Sequence, residues 1–210
     1  MEEVAAPDGY NKVSTSFTFT IKNGQVTQTS AVSEEYDVSD NEIVMKDSIK
    51  KTVSVSKQAV GGGEELTGAV LKLIAPKDAD LSKVEASYGD DSVAAIQVKD
   101  NTITWTSDAA KGGVTLANLP AGTYTLEEIT APDGFTKKTE TMTFVVGADG
   151  KVETVNNLTK KDDKTVVMED APSEVSIVKV GKDGDAAQGL PGADMKLTYE
   201  GGADLSHVTA

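Results

Sequence analysis

The sequence contains two copies of the same series of short motifs, and this internal repeat constrains the fold more than any other feature. Residues 2–10 (EEVAAPDGY) return as residues 127–135 (EEITAPDGF). Two further motifs return in the same order, 43–47 (IVMKD) as 166–170 (VVMED) and 53–57 (VSVSK) as 175–179 (VSIVK). The offsets run from 122 (57 to 179) to 125 (3 to 128), so the repeating unit is one domain of roughly 120 residues.

The positions of the motifs predict three segments, of which only one is a complete copy. Residues 1–48 are predicted to be the C-terminal part of a preceding repeat, residues 50–172 a complete domain, and residues 174–210 the N-terminal part of a following repeat. The joints between the segments are only a few residues long, which limits bending. We therefore expect a segment of a longer, stiff array of tandem repeats.

Apolar and polar residues alternate in many short runs, which is the pattern of half-buried strands. Examples are residues 16–21, 53–57 and 141–146. Threonine, valine and serine are abundant, and glycine and proline interrupt the runs at short intervals. The sequence therefore predicts an all-β fold.

The charge and the rarest residue types exclude several classes of function. A net charge of −14 and a pI near 4.4 disfavour binding to nucleic acid or to an anionic membrane, because both need a basic surface. The chain has no cysteine and one histidine, His207, so thiolate sites and sites with two imidazoles are excluded, and no metal or cofactor is predicted. No apolar run approaches the ~20 residues of a membrane span. An export signal or a wall anchor is expected to lie outside this segment.

Three ionisable residues each end an apolar stripe of a predicted strand. Residues two apart in a strand share a face, so Lys57 lies on the core face with Val53 and Val55. By the same rule Glu128 shares the face of Tyr124 and Leu126. The third stripe comprises Val166, Met168 and Asp170. Each group alone is compatible with a solvated strand end, but together they predict a buried cluster, because a single unpaired charge is costly to bury.

A buried lysine, aspartate and glutamate can form either a salt bridge or a covalent amide. Lysine attacks only as the free amine, aspartic acid is an electrophile only when protonated, and an apolar setting favours both neutral forms. Glu128 then suits the role of proton shuttle. These residues leave both alternatives open.

The motifs resemble a known family. Residues 122–135 resemble the E-box of the CnaB-type (collagen-adhesin B-region, prealbumin-like) domains of Gram-positive surface proteins, and residues 66–69 (LTGA) with the strand ending in Lys57 fit the same family. Residues 167–171 resemble the reactive strand of members that use aspartate. The resemblance covers essentially the whole chain and implies a prealbumin-like, Ig-like β-sandwich. It also implies an intramolecular isopeptide bond between Lys57 and Asp170, assisted by Glu128.

The incomplete copies hold equivalents of these residues. Glu3 and Asp47 match Glu128 and Asp170 in the first segment, and Lys179 matches Lys57 in the last. Neither incomplete copy contains the full set, and a pairing between chains would lack the strands of roughly residues 86–127. The expected partners are therefore neighbouring repeats of the same protein, with any host ligand bound by other domains.

The resemblance implies a structural spacer of a cell-surface adhesin or fimbria, outside the cell and attached to the wall. Self-crosslinking would happen once per molecule, so no turnover enzyme is expected. Two alternatives stay open: a module that binds a host protein or glycan, and a pilin subunit assembled by sortase.

Overall fold

The computed structural model describes residues 1–7, 9–28, 33–39, 41–181, 189 and 191–198. His207, and with it the end of the predicted third segment, lies outside these residues. The chain divides into two units, Met1–Thr52 and Val53–Ala210. Every regular element in the described residues is a β-strand, which confirms the all-β prediction. The finer division at residues 48–50 and 172–174 stays a prediction.

In the first unit, the described residues form six short strands in three two-stranded sheets. The strands are β1 (Tyr10–Asn11), β2 (Phe19–Lys22), β3 (Gln25–Gln28), β4 (Tyr36–Ser39), β5 (Glu42–Met45) and β6 (Ser48–Ile49). The sheets pair β1 with β6, β2 with β3, and β4 with β5. Among the residues described there, Val13, Phe17 and Tyr36 are buried and apolar, and the rings of Phe17 and Tyr36 pack with their centroids 4.3 Å apart.

The described part of the second unit contains eleven strands. They are β7 (Thr52–Ala59), β8 (Val70–Ile74), β9 (Glu85–Tyr88), β10 (Gln97–Lys99), β11 (Thr102–Thr106), β12 (Val114–Ala117), β13 (Gly122–Thr130), β14 (Met142–Val146), β15 (Val152–Asn156), β16 (Thr159–Lys160) and β17 (Thr165–Asp170).

These strands form two sheets that enclose one core. The first sheet has the order β10-β11-β8-β13-β14-β15, and the second has the order β16-β17-β7-β12-β9. Leu71, Trp105 and Tyr124 from the first sheet join Val55 and Leu116 from the second in a single buried apolar cluster. The alternation in the sequence therefore produces a two-layered sandwich whose inner faces are apolar.

The first and last strands of this unit are parallel neighbours. In the register of β7 and β17, Val55 lies opposite Val166, Lys57 opposite Met168 and Ala59 opposite Asp170. Lys57 therefore lies near the end of the domain at which β17 finishes.

The structure differs from the sequence prediction after β17. The stripe of Val175, Ile177 and Lys179 was expected on one face of a strand, but residues 174–181 form no strand and all three side chains are exposed. A strand needs a neighbour for its backbone hydrogen bonds. No described residue pairs with this segment in a sheet.

Candidate functional site

Lys57 points into the core of the sandwich. Along β7, Val53, Val55 and Lys57 are buried, while Ser54 and Ser56 are partly exposed. The Lys57 side chain has no exposure to solvent at all. The face assigned to Lys57 from the alternation is therefore confirmed.

Asp170 is the last residue of β17 and meets Lys57 within the same sheet. Its side chain is fully buried, and the Lys57 ammonium contacts Asp170 Oδ1 as an ion pair. The contact follows from the parallel register, because Lys57 lies opposite Met168 and its long side chain reaches two residues further along the neighbouring strand.

Glu128 approaches the same lysine from the opposite sheet. It lies on β13, where the register with β8 shifts at a bulge between Glu128 and Thr130. Glu128 Oε1 is 3.4 Å from Lys57 Nζ, and both side chains are fully buried. The other oxygen, Oε2, accepts a hydrogen bond of 2.8 Å from the backbone N–H of Lys138. One sheet thus supplies the lysine and the aspartate, and the other sheet supplies the glutamate.

The three side chains of the cluster are closed off from solvent, and the electrostatics of the cluster follow from burial. Burial raises the pKa of Glu128, against the opposing effects of the Lys138 N–H and the Lys57 charge. Beyond the contacts within the cluster, Lys57 Nζ, Glu128 Oε1 and both Asp170 carboxyl oxygens have no hydrogen-bond partner in the described chain. The side chains of Lys57, Glu128 and Asp170 have no exposed surface, so their reactive atoms face one another within the core.

The backbone of Lys57 is bound by a residue that the sequence did not point to. Glu65 Oε1 accepts the Lys57 N–H at 2.9 Å, and Glu65 Oε2 accepts the Ser56 hydroxyl at 2.6 Å. Burial raises the pKa of Glu65, and these hydrogen bonds and the Lys57 charge oppose that shift. Glu65 lies in a loop, where the alternation of apolar and polar residues does not indicate which side chains point to the core. Its one signal was its place directly before the LTGA motif at residues 66–69.

In the first unit, Glu3 and Asp47 come together as the matching pair. Burial, followed by the neighbouring Glu3 carboxylate, raises the pKa of Asp47. Glu3 Oε2 accepts the backbone N–H of Val13 at 2.7 Å, ten residues downstream, just as Glu128 accepts the N–H of Lys138. Lys179, the third predicted equivalent, is exposed and belongs to neither cluster.

The turn that follows each glutamate is also the same in the two copies. Gly9 has a φ of 82° and Gly134 a φ of 81°, a left-handed conformation that favours glycine. In each turn the backbone N–H of an aromatic residue, Tyr10 or Phe135, donates to the backbone carbonyl of the proline three residues earlier at 3.1 Å. The sequence repeat is thus also a repeat of local geometry.

The SpaA prealbumin-like fold domain family matches residues 51–162, which is more than half of the 210 residues. The chain belongs to this family. The match falls on the larger unit, so the SpaA-type domain is the sandwich that contains Lys57 and Glu128. The predicted prealbumin-like fold is therefore confirmed.

Several solved structures show weak similarity to the chain. The pilus 2b backbone protein of group B streptococcus is 17% identical, with a TM-score of 0.40 over 70% of this chain and 48% of that chain. The C-terminal fragment of the pilus adhesin SpaC from Lactobacillus rhamnosus GG is 20% identical, with a TM-score of 0.40 over 84% and 77%. A mutant of the shaft pilin spaA from the same organism is 17% identical, with a TM-score of 0.38 over 80% and 60%. A comparison with curated proteins finds no match.

The described part of the SpaA-type chain contains neither a metal-binding cluster nor a membrane-spanning helix. No group of three or more histidine, cysteine, aspartate or glutamate residues in it is placed to hold a metal ion. No helix in the same residues is long and apolar enough to cross a membrane.

Proposed function

We propose that this SpaA-type domain is a covalently locked spacer of a Gram-positive cell-surface stalk, a CnaB-type domain of the aspartate-using kind. The lock is an isopeptide bond between Lys57 and Asp170. The observation that carries the proposal is the contact of the Lys57 ammonium with the Asp170 carboxylate in a compartment without solvent, with Glu128 Oε1 3.4 Å from the same nitrogen.

The reaction is a condensation that releases one water. A proton moves from the Lys57 ammonium to the Asp170 carboxylate, which produces the free amine and the carboxylic acid together. Lys57 Nζ then attacks Asp170 Cγ, an N–C bond forms, and one C–O bond of the carboxyl group breaks. The departing hydroxyl takes one amine proton and leaves as water. Burial favours the neutral pair over the ion pair, and contact between the reacting groups supplies proximity.

Glu128 moves the protons in this scheme. Because burial raises its pKa, Glu128 stays protonated at a pH at which an exposed glutamate would be ionised. In that form it donates a hydrogen bond to the Asp170 carboxyl group as charge develops there. It then gives its proton to the departing hydroxyl and takes one proton from the Lys57 nitrogen, so that Glu128 ends as the neutral acid again. The amide product stays in the core, so each domain reacts once and no turnover follows.

The position of the bond suits a load-bearing role. The chain enters the domain on β7 and leaves on β17, so a link between Lys57 and Asp170 joins the entry strand to the exit strand. Tension then passes through the link and bypasses residues 58–169. The matching Glu3, Asp47 and Lys179 extend the same scheme to neighbouring repeats, which are the expected partners in an extracellular, wall-attached array.

Intact mass under denaturing conditions tests the proposal. The chain is expected to be lighter than its sequence by about 18 Da, one water, for one condensation. The Glu128→Gln variant should show the full mass, because the amide cannot shuttle protons. Glu127→Gln is the matched control: Glu127 is the neighbouring residue on the opposite face of β13, where its Oε2 pairs with Lys72 Nζ at 3.1 Å.

Peptide mapping separates this bond from other losses of water. A proteolytic digest should contain one branched peptide that joins the segments around Lys57 and Asp170. A full mass in the wild-type chain, or a mass deficit without that branched peptide, would reduce the cluster to a buried ion pair. A module that binds a host ligand would then be the better explanation of the domain.

A further inference from the structure

Lys57 lies at a point where its strand loses a neighbour. β7 is flanked by β17 on one side and by β12 on the other. The Ser54 and Thr115 hydroxyls meet at 3.2 Å, and Gly113 packs so closely on β7 that a Cβ there would lie 2.8 Å from the Val55 carbonyl oxygen. β12 begins at Val114, and the hydrogen bonds of the Lys57 backbone go to residues outside this strand. The backbone groups of Lys57 on this side therefore need other partners.

The loop that follows β7 supplies both partners. Glu65 Oε1 accepts the Lys57 N–H at 2.9 Å, and the Leu66 N–H donates to the Lys57 carbonyl at 2.7 Å. This is the pair of bonds that a neighbouring strand would make. A third contact strengthens it, because the Gln58 amide donates at 2.9 Å to the same Ser56 hydroxyl that Glu65 binds.

We propose that Glu65 is a positioning residue for the crosslink: its carboxylate replaces the missing strand and fixes the backbone of Lys57 so that Nζ meets Asp170. The inference rests on the proposed function. Glu65 does not touch the reacting atoms, because it binds the backbone and the outward Ser56, whereas the Lys57 side chain points into the core. Glu65 acts by fixing the position of the Lys57 backbone, from which the long and flexible lysine side chain extends.

The size of the effect follows from the sensitivity of a proximity reaction to distance. A misplacement of about 1 Å can slow such a step roughly a hundredfold. Without the Glu65 carboxylate, the Lys57 N–H has no strand to bind on this side, and the end of β7 is free to shift. Glu65→Ala should therefore slow bond formation by roughly ten- to a hundredfold.

The experiment follows the loss of water with time. The whole chain is made by cell-free synthesis, quenched at once into denaturant and refolded by dilution, and the unlinked fraction is followed by intact mass. Fluorescence of Trp105, the single tryptophan, reports the folded fraction, so that the rate constant refers to folded molecules. Glu65→Gln should react close to the wild-type rate, because the amide oxygen still accepts the Lys57 N–H. Glu64→Ala, at the exposed neighbouring position, is the control and should match the wild type.

The outcomes separate this inference from the proposed function. Wild-type chains that never lose water would overturn the proposed function itself. Wild-type chains that react while folded Glu65→Ala reacts equally fast would overturn only the role of Glu65. Equal slowing in Glu65→Ala and Glu65→Gln would also overturn it, because the charge of the carboxylate would then matter and not the hydrogen bond to the backbone.

Discussion

Charge balance explains why the cluster needs a protonated glutamate. Together Lys57 and Asp170 carry no net charge, either as an ion pair or as amine and acid, and an ionised Glu128 would add a net negative charge in a position shielded from solvent. An uncompensated buried charge costs several kcal/mol. Burial raises the pKa of Glu128, so the neutral acid is the form that suits this compartment. The property that makes the cluster tolerable in the core thus also suits Glu128 to its proposed role as proton donor.

The raised pKa of Glu128 predicts how bond formation depends on pH. If the neutral acid is the active form, the rate should persist above pH 4.5, the ordinary value for glutamate, and should fall as pH rises through the raised pKa and Glu128 ionises. Lys57 and Asp170 are the charged groups that face Glu128 directly. Mass kinetics after refolding into buffers from pH 5 to 9 would measure this, and a rate that climbs steadily with pH would contradict it.

At the scale of the strand, β17 buries more side chains than a simple alternation of buried and exposed residues would. Val166 and Met168 are fully buried on the core face as predicted, but Val167 on the other face is also buried. Its position in the register, opposite Ser56 on one side and Thr159 on the other, places it in the interior of the sheet with a strand on each flank. The strand that carries Asp170 therefore has a paired strand along each edge and buried side chains on both faces.

This packing predicts a difference between two identical substitutions. Val166→Ala should lower the free energy of unfolding by about 2 kcal/mol, because it empties part of a fully buried position next to the cluster. Val98→Ala, on the edge strand β10 where the side chain is 43% exposed, should change it by less than about 0.5 kcal/mol. Urea unfolding followed by Trp105 fluorescence would test this, and equal effects would mean that β17 is packed loosely.

The sequence could predict which strand residues face the core, but not what the loops do. Period-two alternation was sufficient to place Lys57 and Glu128 inward, because a strand with one buried face leaves no other register. The role of Glu65 was missed because a loop has no period and its partner is a backbone group. The segment around Lys179 was misjudged for a different reason, since an alternating pattern becomes a strand only where a sheet offers it an edge.

For the larger unit as a whole, the proposed bond closes a loop that contains nearly the entire domain. By analogy with a disulfide that spans more than 100 residues, it should stabilise the fold by about 4–5 kcal/mol through the unfolded state. The bond should affect resistance to pulling even more than the free energy of unfolding, because it joins the strands on which the chain enters and leaves.

Stretching single molecules from their two ends should show this effect. When Glu128→Gln unfolds, it should lengthen by roughly 400 Å, the extended length of residues 53–170. The wild-type chain should show no such step, and any extension from the first unit should be common to both proteins. Glu127→Gln again serves as the control and should behave like the wild type. A full-length step in most wild-type molecules would mean that no bond bears the load.

The parallel pairing of the first and last strands also controls when the domain can close. Lys57 is made early and Asp170 is nearly the last residue of the sandwich, so the two can meet only after the whole intervening chain has been synthesised. Until that moment the domain is a linear polymer, free to thread through a narrow pore and to correct a wrong strand pairing. Once β17 has paired with β7, the proposed bond makes this strand pairing irreversible. Synthesis of the last strand is thus the step that allows the proposed bond to form, after which the domain can no longer return to a linear, unfolded chain.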